Sequence, residues 1–145
     1  MITVQEALNE QQQKDAFHVR FNVFVNEQKV PEDLEMDELD DTSLHFIAYE
    51  DSVAIGAGRL RFVEEYGKAE RVCVLSSRRK SGAGRAIMQT MEQKAREKGC
   101  PAMKLNAQIS ASAFYKSLGY TVTSKEFMDA GIPHVEMKKS LYPFP

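Results

Sequence analysis

The chain has 145 residues, of which 43% are hydrophobic and 28% are charged, and its net charge at pH 7 is −2. This length and composition predict a single globular domain over residues 1–145 with a buried core. The slightly acidic balance disfavours general nucleic-acid binding, and the sequence has neither a membrane-spanning apolar run nor a signal peptide. We therefore expect a cytoplasmic protein in which both cysteines, Cys73 and Cys100, are reduced.

Charge is distributed unevenly along the chain. Seven of the ten residues from 32 to 41 are acidic, whereas eight basic residues lie between Arg78 and Lys104. A basic segment suits a phosphorylated cofactor, and an acidic segment could attract an amine. A solvated surface explains the acidic run equally well.

The first half of the chain predicts one helix and four strands. Phe17, Phe21 and Phe24, with Ala16, Val23 and Val25 adding width, are spaced as one face of a helix. Gly56 and Gly58 predict a bulge or close packing within a strand. The acidic run is expected to form an ordered loop or a short helical turn. In order, the predicted strand, helix and three further strands cover residues 2–4, 9–25, 44–49, 53–62 and 69–75.

The second half predicts two helices and three strands. Gly99 is suited to a left-handed cap at the end of the longer helix, and Ser110 to the N-cap of the shorter one. The strand, helix and strand around residue 90 imply a parallel crossover. The fold class is therefore α+β, a mixed central sheet with helices on both faces. The predicted elements are helices at 86–98 and 110–118 and strands at 103–107, 120–122 and 134–138.

A basic, glycine-rich turn stands between a strand and the longer helix. It reads Arg79-Lys80-Ser81-Gly82-Ala83-Gly84-Arg85. Glycines permit a tight turn and a close approach of backbone to ligand, and the unpaired N–H groups of a helix start attract anions. These features predict a phosphate cradle. A dinucleotide fingerprint would need glycine at Ile87, and a Walker loop would need lysine at Arg85.

The cradle resembles the acyl-CoA pyrophosphate loop of the GNAT N-acetyltransferases, Arg/Gln-x-x-Gly-x-Gly/Ala, with Arg79, Gly82 and Gly84 at the defined positions. About 25 residues later, a second segment resembles the GNAT signature Asn-x-x-Ala-x-x-x-Tyr-x-x-x-Gly-Phe/Tyr. It departs from that signature at Gln108, which replaces asparagine, and keeps Tyr115. Residues 20–28 and 131–137 further resemble a small bacterial branch of uncharacterised GNAT proteins, which implies a reaction but names no acceptor.

The resemblance implies the acyl-CoA N-acyltransferase fold, with acetyl-CoA between two splayed parallel strands at 72–75 and 104–107. Strand backbone would hold the pantetheine arm and the acetyl carbonyl, and loop N–H groups would hold the pyrophosphate. The residues implied at the cofactor are Val72, Cys73, Val74, Arg79, Lys80, Ser81, Gly82, Ala83, Gly84, Arg85, Gln108 and Tyr115.

The implied reaction is direct attack of a neutral primary amine on the thioester of acetyl-CoA, without an acyl-enzyme. Tyr115 is the expected general acid, because the pKa values of a phenol and of a thiol are similar. Glu27, Glu70, His45 and His134 are the titratable side chains expected near the reaction centre. Of these, His134 and Glu27 are candidates for the base or for the acceptor site, and water is an equal alternative. Cys73 is expected to be a small buried strand residue, since the sequence shows no adjacent base.

Two other classes of protein share some of these sequence features. A non-catalytic acyl-CoA-binding module would keep Arg79, Gly82 and Gly84 but would not need Tyr115. A metal site in the acidic run is disfavoured because the EF-hand spacing is missing, so no metal ion is expected. The expected partners are acetyl-CoA and an amine on a small molecule or a protein, without nucleic acid or membrane. Exposed sheet edges would allow a homodimer.

Overall fold

The computed structural model describes residues 1–142, which form a mixed β-sheet with helices on both faces. The strands are β1 (Ile2–Glu6), β2 (Leu44–Glu50), β3 (Val53–Val63), β4 (Tyr66–Val74), β5 (Ala102–Gln108), β6 (Thr121–Val122), β7 (Phe127–Asp129) and β8 (Ile132–Ser140). The helices are α1 (Glu10–Arg20), α2 (Glu32–Glu35), α3 (Ala83–Glu97) and α4 (Ser112–Ser117), and a π-helical segment, Phe21–Glu27, continues α1.

The sheet order is β1-β2-β3-β4-β5-β8-β6, with β7 paired to β8. Strands β1 to β4 form an antiparallel meander, and β4 and β5 are parallel neighbours joined through α3. The later strands pair antiparallel around β8. This arrangement confirms the predicted α+β class, the mixed sheet and the parallel crossover.

Helix α3 buries one face of the sheet. Ile87, Met88, Met91 and Ala95 lie at the spacing of one helical face and are all fully buried. A Cβ added to Gly56 or Gly58 would lie 2.9 Å from a methyl group of Ile87. The glycines of β3 therefore let the helix approach the sheet closely, and the β3–β4 register also shifts between Ala57 and Arg59.

Helix α1 and the π-helical segment bury the other face, over β2, β3 and β4. The buried positions are Ala16, Val19, Arg20 and Val23, whereas Phe17, Phe21 and Phe24 are half-buried. Ala16 and Val23 of the predicted face are therefore at the centre of the contact, and its phenylalanines are not. Small residues let α1 lie close to the sheet, and the aromatic rings occupy its margins.

Several predicted boundaries also differ from the structure. Helix α3 begins at Ala83, and Gly99 adopts a φ of 80°, which confirms its left-handed cap. The N-cap predicted at Ser110 is wrong, because a 3-10 turn over Ile109–Ala111 precedes α4. The hairpin of β7 with β8 was not predicted. Within residues 1–142, no helix is long and apolar enough to cross a membrane.

Candidate active site

A gap opens between β4 and β5 at the carboxyl ends of the two strands. Their backbone pairing joins Gly67–Ala69 to Met103–Leu105. Beyond these three pairs, within the described chain, β4 continues to pair with β3 and β5 continues to pair with β8, but the two strands no longer pair with each other. Arg71 has a φ of 57° next to the shift in the β3–β4 register, and such a bulge bends the strand. The two parallel strands therefore splay apart where the sequence resemblance implies.

The amino-terminal turn of α3 stands at the end of β4. The guanidinium Nε of Arg79 donates to the carbonyl oxygen of Val74 at 3.2 Å, which holds the loop against that strand. The first α-helical bond runs from the N–H of Ala86 to the oxygen of Gly82 at 3.0 Å. The N–H groups of Gly84 and Arg85 precede that bond and are free to point at an anion.

The two glycines of the loop, Gly82 and Gly84, have different structural roles. Gly82 has a φ of 93°, and no atom lies within 4 Å of the position that its Cβ would take. It therefore provides both the left-handed turn and an open approach to the helix start. A Cβ on Gly84 would instead lie 3.1 Å from the ring of Phe114, so Gly84 allows α3 to pack against α4.

The basic side chains of the loop surround this open space. Lys80 and Arg85 are exposed, and Ser81 accepts a hydrogen bond from the N–H of Ala83 at 3.4 Å. Arg79 forms a two-pronged ion pair with Glu27, in which both N–O distances are 2.6 Å. The hydrogen bonds from Arg79 lower the pKa of Glu27. Its carboxylate is therefore a weaker base than an ordinary glutamate.

The residue after Glu27 reaches the other side of the gap. Gln108, at the end of β5, donates from its Nε2 to the Oε1 of Gln28 at 2.8 Å. The pair Glu27–Gln28 thus connects the α3 loop with the end of β5. In this structure the amide of Gln108 bonds to Gln28, and that contact was not predicted.

Tyr115 lies on α4, in the core cluster beneath the gap. Its ring packs edge to face with Phe114 and Tyr120, with ring centroids 5.0 and 6.0 Å away. Burial raises the pKa of the Tyr115 phenol, and the neighbouring Cys73 contributes in the same direction. The phenol therefore stays protonated at neutral pH and retains a proton to donate.

Val72, Cys73 and Val74 form the β4 side of the gap. Burial raises the pKa of the Cys73 thiol to about 12, so it is protonated at neutral pH and is a poor nucleophile. Cys73 packs against the α1 side, while Val72 and Val74 pack against the core cluster on the α3 side. Cys73 is thus the buried strand residue that the sequence predicts.

Two of the residues considered as bases are occupied elsewhere. Burial would raise the pKa of Glu70, but hydrogen bonds and charge from Arg61 and Arg59 lower it overall. Burial lowers the pKa of His45, whose Nε2 lies 2.8 Å from the carbonyl oxygen of Asp40. The Glu70 carboxylate is thus bonded by two arginines, and the His45 ring is held at the acidic segment.

His134 faces Gln108 across the β5–β8 pair, next to the gap. Its ring is buried, stacks on Phe127 with a centroid distance of 5.9 Å, and places Nδ1 2.6 Å from the carbonyl oxygen of Ile132. That contact assigns the proton to Nδ1, because a carbonyl oxygen can only accept. In the neutral imidazole, Nε2 is then the nitrogen that carries the lone pair.

The acidic run is held by buried arginines. Arg20 bonds Glu35 and Asp40, both at 2.8 Å, and Arg59 bonds Asp37 at 2.7 Å and Asp40 at 2.9 Å. Arg20 and Arg59 are 0% and 1% exposed. These carboxylates therefore hold the loop to α1 and β3. Within residues 1–142 no group of three potential metal ligands converges.

The charge runs in the sequence do not by themselves predict this network of ion pairs. A partial signal is present in the sequence, since Arg20 lies three and four positions from the apolar Val23, Phe17 and Ala16, and Arg59 lies two positions after Ala57 in a strand of small and apolar residues. Buried arginines require carboxylate partners. Residues 32–41 are the only acidic run between Arg20 and Arg59 in the sequence, and they supply carboxylate partners for both arginines.

Comparison with known proteins agrees with this geometry. The chain belongs to the GNAT acetyltransferases: residues 4–141 match the family described as Acetyltransferase (GNAT) domain. It is 52% identical over 134 residues to the uncharacterised N-acetyltransferase YjcF of Bacillus subtilis, covering 92% of this chain and 96% of that protein.

Two crystal structures have the same fold. A Lactobacillus plantarum protein aligns with a TM-score of 0.89 and 26% identity, covering 97% of this chain and 98% of the other. An acyl-CoA N-acyltransferase from Pseudomonas aeruginosa aligns with a TM-score of 0.82 and 26% identity, covering 96% and 99%. The fold is therefore that of the acyl-CoA N-acyltransferases, and the family supports acyl transfer from an acyl-CoA.

Proposed function

We propose that residues 1–145 form one catalytic domain, which transfers an acetyl group from acetyl-CoA to a primary amine of a small molecule or a protein. The observation that carries the proposal is the gap between β4 and β5 beside the open helix start at Gly82. A pantetheine arm needs an extended channel lined by backbone, and a pyrophosphate needs convergent N–H groups. The two features lie next to each other at the end of β4.

The β4 backbone holds the acyl arm in this proposal. Cys73 and Val74 pair with Ala57 and Gly56 of β3 along one edge, which leaves the other edge of β4 facing the gap. Backbone groups on that edge, including those of Val72, bind the pantetheine amides as an added strand would. An N–H group on the same edge stabilises the oxyanion that forms when the amine attacks the thioester carbon.

The loop binds the pyrophosphate. The free N–H groups at the start of α3 bind it, with other backbone groups from Arg79 through Arg85 around them, and Lys80 and Arg85 add charge that is exposed in the structure. Gln108 lies at the β5 side of the arm. Its bond to Gln28 competes with a direct contact to the cofactor.

The proton movements use two residues on opposite sides of the gap. As the tetrahedral intermediate collapses, the C–S bond breaks, and Tyr115 donates its phenolic proton to the departing thiolate. His134 Nε2, or a water that it orders, accepts the proton that the amine loses. Direct transfer is supported by the raised pKa of Cys73, which leaves little thiolate to form an acyl-enzyme.

Calorimetric titration of the protein with acetyl-CoA and with free CoA tests the proposal. We expect micromolar binding of both, followed by acceptor-dependent release of thiol when a panel of amines is supplied. An absence of binding at millimolar acetyl-CoA would refute the cradle assignment and the enzyme with it. Binding without turnover of any amine would instead favour an acyl-CoA-sensing module.

Replacement of Tyr115 tests the chemical step. Tyr115→Phe should lower kcat by about a hundredfold, the range of a lost general acid, with little change in acetyl-CoA affinity. In the unmodified enzyme, the raised pKa keeps the phenol protonated, so kcat should not fall between neutral pH and about pH 9. The control is Tyr49→Phe, which removes a phenol that bonds Asp15 at 2.6 Å on the α1 side. Equal rates for the two variants would refute the acid role.

Cytoplasmic location, a bacterial source and a homodimer stay predictions from the sequence.

A further inference from the structure

Four basic residues form one continuous row across the sheet. Arg61 of β3 is paired with Lys68 of β4, Lys68 with Lys104 of β5, and Lys104 with Lys138 of β8. Like charges that face each other directly on neighbouring strands destabilise a sheet. A row of four cations therefore requires compensating charge.

Only half of the row receives that charge from the protein. Glu70 bonds Arg61 at 2.7 Å and lies 3.7 Å from the ammonium group of Lys68. Lys104 and Lys138 instead converge on the ring of Tyr66, with Nζ 4.3 and 4.7 Å from its centroid. Within residues 1–142, no carboxylate forms an ion pair with either lysine. An aromatic face offsets part of an ammonium charge but does not neutralise two of them.

The row lies on the face of the sheet opposite α3, the face that also carries Gln108 and His134 at the gap. Met103 and Leu105 point into the core with α3, so Lys104 between them points to the opposite face. Lys138 is its direct partner on that face. A groove of about 400 Å³ runs beside Lys138, lined by Tyr66 and by the hydroxyl-bearing residues Thr121 and Thr123.

The polar residues on this face follow an order along the strands. His134 and Gln108 lie at the gap, Glu136 and Asn106 form the next pair on the face, and Lys138 and Lys104 the one after. At about 3.3 Å per residue, Lys138 is roughly 7 Å from Glu136 and roughly 13 Å from His134 along β8. Thr123 donates to one carboxylate oxygen of Glu136 at 2.8 Å, and the other oxygen is available to an ammonium group.

From this arrangement we propose that the acceptor is a zwitterion, an amine whose chain carries a carboxylate or a phosphate group at its other end. The inference rests on the proposed function and specifies its acceptor. The amine lies at His134 and Glu136, and the anionic group lies between Lys104 and Lys138, where its charge relieves their repulsion. The separation of these residues requires an extended linker of several atoms between the two groups.

Matched acceptor series test this inference. Straight-chain ω-amino carboxylates of increasing length are compared with ω-amino alcohols of the same length, and ω-aminoalkyl phosphates form a third arm that distinguishes the two anions. We expect kcat/KM for at least one anionic series to exceed that of the alcohols by about tenfold or more, with an optimum at intermediate length. The double variant Lys104→Gln, Lys138→Gln should lose this preference.

The control double variant is Lys98→Gln, Lys116→Gln, which removes the same charge from exposed positions at the ends of α3 and α4. It should keep the preference. Acetyl-CoA affinity, measured for every variant, reports whether the fold and the cofactor site are intact.

The possible failures are distinguishable. Normal acetyl-CoA binding with equal rates for anionic and neutral amines would overturn the inference and leave the proposed function in place. A preference that survives in the Lys104, Lys138 variant would overturn the assignment of these residues. Failure to bind acetyl-CoA would overturn the proposed function and, with it, this inference.

Discussion

The acidic segment 32–41 and the basic segment 78–85 are opposite in charge, and their charges are used in different ways. In the acidic segment, Glu35 and Asp40 are bound by Arg20, an arginine with no exposed surface. In the basic segment, Lys80 and Arg85 are exposed beside an open helix start. One segment has its counter-charge inside the same chain, whereas the other can receive it from a ligand.

A run of like charges in a sequence does not by itself show whether the charges are paired inside the fold or available to a ligand. Two runs of similar density look alike until the location of the opposite charge is known. A run whose partners are buried residues of the same chain stabilises the fold. A run whose charges remain at the surface of a cleft can bind a ligand. Substitutions in one segment at a time test this difference.

The largest effect is expected from a negative side chain in the basic segment. Gly82→Glu places a carboxylate in the open space of the cradle, where it repels a pyrophosphate. The Kd for acetyl-CoA should rise at least about a hundredfold, measured by calorimetry. Gly131→Glu is the matched control, since Gly131 also has a positive φ, 77°, and open space at its Cβ position. Equal affinities for the two variants would refute the cradle.

Arg59→Met tests the acidic segment. The variant removes the buried partner of Asp37, Asp40 and Glu70 and leaves these carboxylates underpaired. The free energy of unfolding should fall by about 3 to 5 kcal/mol, measured by urea denaturation. Arg78→Met removes a half-exposed partner of Glu50 and should cost less than about 1 kcal/mol. Similar losses for both would mean that the buried network contributes no more than a surface ion pair.

The smallest effect is expected at the ion pair between Glu27 and Arg79. Glu27→Gln should change the free energy of unfolding by less than about 1 kcal/mol, because the pair is largely exposed. It should leave kcat nearly unchanged, since the lowered pKa makes Glu27 a weak base. Steady-state kinetics on any accepted amine provide the measurement. A fall in kcat of about a hundredfold would identify Glu27 as the base.

Sequence reasoning located the elements that carry strong periodic or turn signals. Helix α3, the meander and the parallel crossover follow from Ile87, Met91 and Ala95, from the turns and from Gly99. The motif at Arg79, Gly82 and Gly84 lies at the helix start and gap that the resemblance implies. These features depend on residues close together in the chain.

The contacts that the sequence did not predict join residues far apart in the chain. Arg79 meets Glu27 and Gln108 meets Gln28 across 52 and 80 positions, and no local pattern encodes such partners. The predicted face of the first helix included the buried Ala16 and Val23 but not Arg20, because a hydrophobic pattern does not identify a buried charge. The row of Arg61, Lys68, Lys104 and Lys138 appears only once the strand register is known.

The buried arginines also determine how the acidic loop can move. Arg71 adds a contact to Glu35 at 2.8 Å, so the loop is tied to β4 as well as to α1 and β3. If the loop opened alone, these ions would lose partners in a low-dielectric site, which costs several kcal/mol for each broken pair. Residues 35–40 and the sheet are therefore expected to unfold as one cooperative unit. This segment has the composition of a solvated surface loop, but we expect it to open only when the core unfolds.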